Sequence, residues 1–146
     1  MPFDAAWVIA WARLAADAVR ERREELTALD VAIGDGDHGE NLDRGLHAAV
    51  AALDEAQASG RGPATPAEAL KTVATTLITT AGGAAGLLLG AACLRAARAA
   101  QAVGGDDGRI DAAGVARILR EACAGAQSRG RAEPGDKTMV DAWYLA

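Results

Sequence analysis

Asp30-Val31-Ala32-Ile33-Gly34-Asp35-Gly36-Asp37-His38-Gly39-Glu40-Asn41 carries more of the chemistry and architecture of this 146-residue chain than any other stretch. Three carboxylates, Asp30, Asp35 and Asp37, fall within eight residues, interleaved with Gly34, Gly36 and Gly39, and no lysine or arginine lies inside the run. Side chains alternate along extended backbone, so Asp35 and Asp37 can point the same way, and the glycines allow sharp turns and close approach by a ligand. Two carboxylates about 5 Å apart repel by roughly 3 kcal/mol at an effective dielectric near 20, which invites a cation. Oxygen-only ligands suit a hard ion, and carboxylates too few for a closed cage point to Mg²⁺ completed by waters and substrate phosphates.

Gly-Asp-Gly-Asp is also ordinary turn chemistry, because Asp caps helix N-termini and Gly makes turns. The sequel favours a site. Glu40 to Glu55 has helical spacing, with Leu42, Leu46, Val50 and Leu53 on one face, so the loop delivers its polar groups to a helix N-terminus. Such an end offers unpaired backbone N–H groups and a partial positive charge that favour phosphate. Carboxylates beside anion-seeking amides fit a metal-bridged polyphosphate.

Motifs that mimic this pattern fail on inspection. An EF-hand starting at Asp35 needs an oxygen side chain at Gly39 and a Glu at Leu46. A Walker A loop needs Gly-Lys-Ser/Thr, whereas Asp136 interrupts Gly135-Asp136-Lys137-Thr138. His38-Gly39-Glu40 has the His-x-Glu of zinc deaminases, yet no Cys-x-x-Cys follows, and Cys93, Cys123, His38 and His47 make no credible zinc set.

The length suits one domain, taken as residues 1–146. A formal charge of −5 and no basic cluster argue against nucleic acid or an anionic membrane as partner. Two cysteines in apolar helical text read as core residues in a reducing compartment. No basic leader precedes an apolar block and no apolar run approaches about 18 residues, so no membrane span is expected and the location expected is cytoplasmic.

Alanine and leucine dominate and the periods are helical, so the fold expected is all-α. Phe3, Trp7, Trp11, Leu14 and Ala18 follow i, i+4, i+7 spacing, which predicts a first helix to about Arg23 with that stripe as core. Thr65-Pro66-Ala67-Glu68 is a capping box with Pro at the first helical position, opening a helix towards Thr80. Ala81-Gly82-Gly83-Ala84-Ala85-Gly86 then turns into an apolar helix to about Ala100. Gly104 to Gly108 reads as a solvated turn, where Asp107 or Asp111 could pass for a calcium ligand; Asp111 is expected to cap a helix from Ala112 to about Gln127. Residues 128–136 form a polar connection before a last helix near Lys137. Loops 30–41, 81–86 and 128–138 recur about every fifty residues, and in an up-and-down bundle alternate loops share one end. Carboxylates for a metal, Gly82 and Gly83 for close approach, and Arg129, Arg131 or Lys137 for negative charge would then form one rim.

Ile33-Gly34-Asp35-Gly36-Asp37-His38-Gly39, Gly82-Gly83-Ala84-Ala85-Gly86, and Arg129-Gly130 through Pro134-Gly135-Asp136-Lys137-Thr138-Met139-Val140-Asp141 resemble, in order and over nearly the whole chain, the nucleotide-binding L subunit of dihydroxyacetone kinase. The equivalent domain of one-chain ATP-dependent kinases is similar. The resemblance implies an antiparallel eight-helix barrel of the DhaL type with ADP or ATP at one end, held through two Mg²⁺ ions. It implies Asp30, Asp35 and Asp37 as metal ligands and His38, Gly39, Glu40 and Asn41 against the phosphates. Ala84 and Ala85 fall where the family's glycine-rich turn meets nucleotide, and Gly130 and Met139 match positions lining it further out. Dihydroxyacetone is expected on a separate K subunit. In the phosphotransferase-system form, ADP is re-phosphorylated in place by a phosphohistidine on an M subunit. Phosphoryl transfer asks little covalent chemistry of the protein, so no catalytic base is assigned. A homo- or hetero-oligomer is expected. The related fatty acid kinases usually read Asp-Gly-Asp-Thr-Gly, so His38 favours the dihydroxyacetone branch.

Three departures stand out: Ala85 replaces a usual Ser, Leu87 a Pro and Leu89 an aromatic residue. The chain ends at Ala146 inside its last helix, where family members continue, so a barrel incomplete at the C-terminus is expected. That leaves two alternatives to a phosphoryl-transfer subunit: a nucleotide-binding regulatory module or impaired, truncated paralogue, and a purely structural domain whose aspartates only cap helices.

Overall fold

The computed structural model describes residues 2–104 and 109–145, which form helices and no strand. In chain order these are α1 (Ala5–Glu21), α2 (Arg23–Val31), α3 (His38–Ala58), α4 (Pro66–Thr80), α5 (Gly83–Val103), α6 (Ala112–Gly130) and α7 (Met139–Leu145). Local chemistry places their ends. Asp4 caps α1 by accepting from Trp7 N at 2.8 Å. Thr65 Oγ1 accepts from Glu68 N at 3.2 Å while Glu68 reaches back to Ala64 N at 2.7 Å, the capping box expected ahead of Pro66. Asp111 accepts from Gly114 N at 2.8 Å and so caps α6, as its position implied. Asp107 lies outside the described residues.

α4 and α5 pack along most of their length, α5 packs on α6, and α3 is flanked by α1, α2, α4 and α5. Among the described residues no comparable packing joins α6 to α1, so the ring of helices is open on that side. The core is alanine-rich, and Leu53, Leu77, Val8, Val73 and Val140 are its largest fully buried side chains. Small side chains let helix axes approach and lose no rotamer freedom on burial. Gly125 shows the scale: a Cβ there would stand 2.7 Å from Ala91 O on α5.

One expectation is corrected. The predicted core stripe of α1 is misplaced: Trp7, Trp11 and Leu14 are 37%, 36% and 70% exposed, whereas Val8, Ile9, Ala12 and Ala16 are buried. Helical spacing fits both sets, and the close contact of α1 with α3 and α4 selects the small one. The first helix ends at Glu21, close to the expected Arg23, and is followed after Arg22 by α2, a helix that the spacing did not predict and that buries no side chain of its own. Asp43 ties the pieces together. This buried carboxylate accepts from Arg20 Nε at 3.2 Å, meets His47 Nδ1 at 2.9 Å and faces Arg23 at 3.9 Å, linking α1, α2 and α3.

Both cysteines are free, and burial pushes the Cys93 thiol up to about 12, so it behaves as an inert core residue. Helix α5 is, after all, long and apolar enough to cross a membrane by length and composition, against expectation, yet half of its apolar window is buried inside the bundle.

The register of α1 is testable by thermal denaturation followed by circular dichroism. Val8→Asp buries an unpaired carboxylate and should abolish cooperative unfolding. Leu14→Asp should move Tm by no more than about 2 °C, since exposed substitutions stay within about 0.5 kcal/mol. The opposite pattern would restore the tryptophan stripe as the core face.

Candidate metal and anion site

Asp30 stands at the end of α2 and organises the loop that follows. Its Oδ2 accepts from Gly36 N at 3.0 Å, Asp37 N at 3.0 Å and His38 N at 3.2 Å, which curls the loop back over the carboxylate. Oδ1 lies 2.2 Å from where a Cβ on Gly34 would sit, so a side chain at that position would collide with the carboxylate. Asp30, Asp35 and Asp37 each bring a carboxylate oxygen within 4.8 Å of the others. No lysine or arginine forms an ion pair with the trio among the described residues.

The structural role of these aspartates is thus divided. Asp30 does satisfy the first amide of α3, but Asp37, at the N-cap position, makes no capping bond with its side chain. Asp35 is exposed, and its carboxyl is held above the usual range, chiefly by the hydrogen bond it shares with Asp37 and next by the Asp37 charge. Two carboxyl groups contending for one proton, a third beside them and an all-oxygen donor set fit a hard divalent cation.

The first turn of α3 lies next to the acidic loop. Gly39 is buried because α2 crosses over it: a Cβ there would stand 2.1 Å from Arg23 O. His38 is half-buried, Glu40 exposed and Asn41 buried. Asn41 meets the second loop, since its Nδ2 would lie 3.0 Å from a Cβ on Gly83, and Asp37 Oδ1 would lie 3.9 Å from it. Gly82 and Gly83 take φ of 74° and 61°, left-handed values that favour glycine, and α5 opens with no side-chain cap. Two helix N-termini, those of α3 and α5, therefore flank the carboxylates, both without a capping side chain at the N-cap residue. Ala84 is exposed, while Ala85 is buried, only 6% exposed.

The third loop is at the same end, because Gly130 closes α6 against Leu88, on the second turn of α5. Met139 opens α7 and packs half-buried on the core. Thr138 Oγ1 accepts from Val140 N at 3.2 Å, and Asp141 accepts from Thr138 N at 3.0 Å and Gly135 N at 2.6 Å. These amides, Gly135 first, hold the Asp141 carboxyl below its ordinary range. Arg129, Arg131 and Lys137 are exposed on this rim.

Arg44 was not among the residues expected at the site. It donates to Thr80 O at 3.1 Å, Ala81 O at 2.7 Å and Asn41 Oδ1, and its only trace in the sequence is its place one helical turn after Asn41.

Residues 32–146 match the family described as the DAK2 domain. The chain belongs to that family. It is 36% identical over 143 residues to the "PEP-dependent dihydroxyacetone kinase 1, ADP-binding subunit DhaL" of Listeria innocua, covering 98% of this chain and 67% of that one. It is 37% identical over 136 residues to the corresponding "ADP-binding subunit DhaL" of Escherichia coli K12, covering 93% and 60%. To the "PTS-dependent dihydroxyacetone kinase, ADP-binding subunit DhaL" of Lactococcus lactis it is 33% identical over 135 residues, covering 92% and 63%. The DAK2 chain thus spans about two thirds or less of these relatives' length. Their names agree with the resemblance carried by the three loops.

Asp35 generates a pH-dependent prediction. A carboxyl whose folded pKa is raised costs stability where it is ionised, and the cost fades as pH falls and the proton returns. Asp35→Asn should therefore raise the Tm of the metal-free protein at pH 7 but not near pH 3, below the ordinary carboxylate range. The same variant should lose any rise in Tm caused by MgCl₂. Scanning fluorimetry at both pH values checks this, and an unchanged Tm at pH 7 would show that the trio is not electrostatically strained.

Proposed function

We propose that this DAK2 chain is the nucleotide-binding, phosphoryl-transferring subunit of a dihydroxyacetone kinase. The carrying observation is the set of three carboxylate oxygens within 4.8 Å, flanked by the N-termini of α3 and α5. Asp30, Asp35 and Asp37 would hold Mg²⁺ there, two ions by the family resemblance, and the ions when bound offset the charge of a diphosphate. The amides of Gly39 and Glu40 and of Gly83 to Ala85 would face the phosphates of ADP or ATP, with the His38 and Asn41 side chains beside them and Gly130 and Met139 further out along the nucleotide. Positioning and charge supply most of the work in phosphoryl transfer, so none of these residues acts as a general base.

By the family resemblance the acceptor is dihydroxyacetone on a separate K subunit and the donor an M-type phosphoprotein; the names of the relatives, PEP- or PTS-dependent with an ADP-binding subunit, support a phosphotransferase-linked donor. With those partners the chain would work in the cytoplasm. An apolar rim supports docking at this end: Leu29, Val31 and Ile33, around the acidic loop, are 64%, 66% and 93% exposed.

Calorimetric titration with Mg·ADP tests the site. Asp35→Asn and Asp37→Asn should each weaken binding at least about 100-fold, close to 2.7 kcal/mol. Binding by either variant equal to wild type would remove the trio from nucleotide recognition. A separate experiment addresses docking: Ile33→Asp should lose co-elution with the K subunit on gel filtration while keeping wild-type Mg·ADP affinity.

A further inference from the structure

Arg44 stands where α3, α4 and α5 converge. Its Nε donates to Thr80 O at 3.1 Å, and its Nη2 donates both to Ala81 O at 2.7 Å and to Asn41 Oδ1. The two carbonyls are those of the last residue of α4 and of its C-cap, which have no partner within the helix and form its negative end, so a cation there is favoured twice over. Arginine has only donors, hence the oxygen of Asn41 must face it, and the Asn41 NH₂ group is turned the other way. That way leads to α5, since Nδ2 would stand 3.0 Å from a Cβ on Gly83.

The same guanidinium lies against the turn, because its Nη2 would stand 2.9 Å from a Cβ on Gly82. One side chain therefore holds the end of α4, the start of the Gly82–Gly83 turn and the orientation of a buried amide on the first turn of α3. It makes no bond to Asp30, Asp35 or Asp37 among the described residues.

We propose that Arg44 is a positioning residue for diphosphate binding: it keeps the N-termini of α3 and α5 in register and aims the Asn41 NH₂ group towards the phosphate seat, without contributing to metal capture. This role rests on the nucleotide reading above. It divides the site into a metal half, held by the acidic loop, and a phosphate half, held by Arg44.

The test uses the full chain and two ligands, Mg²⁺ alone and Mg·ADP, titrated by calorimetry into wild type, Arg44→Met and Arg44→Lys, with Tm measured alongside. Arg44→Met should lose 10-fold or more in Mg·ADP affinity while binding Mg²⁺ alone within twofold of wild type. Arg44→Lys, which keeps the charge but not the fork, should recover part of the loss. Asn41→Asp, which keeps the oxygen facing Arg44 and replaces the NH₂ group by a carboxylate oxygen, should show the same selective loss. Mg·ADP affinity within twofold of wild type in Arg44→Met would overturn the proposal. So would equal losses for Mg²⁺ and Mg·ADP that track a fall in Tm, which would mark Arg44 as packing only. A wild-type chain that binds Mg²⁺ but no Mg·ADP would overturn the nucleotide reading itself, and this role with it.

Discussion

Ala81 is a methyl group with no exposed surface, pinned between two helices that carry no side chain where they meet it. A Cβ on Gly45 of α3 would stand 2.5 Å from the Ala81 Cβ, and one on Gly86 of α5 would stand 2.6 Å away. Backbone thus meets backbone at the point where α4 ends, and the position of the Gly82–Gly83 turn relative to α3 follows from that contact rather than from flexible side chains. Close-packed interiors have little slack to absorb a shift. Enlarging any of the three residues would separate the two helix N-termini that flank the acidic loop, so the alanine-rich core serves the geometry of this end as well as stability.

The acidic loop has a different logic. Three like charges within 4.8 Å repel, yet Asp30 is anchored by three backbone amides and the loop cannot swing away without giving up those bonds. Charge-assisted hydrogen bonds of this kind are individually stronger than neutral ones. Asp35 is the exposed member of the trio, and its carboxyl is raised by its hydrogen bond with Asp37 and then by the Asp37 charge. Strain held at a site by the surrounding structure is a common mark of function.

Much of this was legible in the residues. The capping box at Thr65, the cap at Asp111, the left-handed glycines at 82 and 83 and the clustering of the three aspartates all follow from local rules, which depend on neighbours in the chain. What escaped depends on contacts between distant segments. The choice between Trp7-Trp11-Leu14 and Val8-Ala12-Ala16 as the inner face of α1 turns on how near α3 and α4 come. Helix α2 has no buried side chain to advertise it, and is held by Asp43 and by the bare backbone at Gly39. Arg44 resembles any surface arginine until Thr80 and Ala81, thirty-six and thirty-seven residues on, present their carbonyls to it.

The juxtaposition of carboxylates and helix N-termini also bears on how an anion arrives. The protein carries a net charge of −5, and a diphosphate seated at the amides of α3 and α5 would lie beside Asp30, Asp35 and Asp37. Near a protein surface a unit charge pair 4 Å apart is worth about 4 kcal/mol, so three carboxylates outweigh the roughly half-charge of each helix end. On the reading proposed above, the anion seat would be closed to a bare polyphosphate and would open only when positive charge is shared among the three aspartates. Selectivity for a metal-bound diphosphate over other phosphates would then follow from the order of the residues in one loop: the carboxylates first, the helix start immediately after.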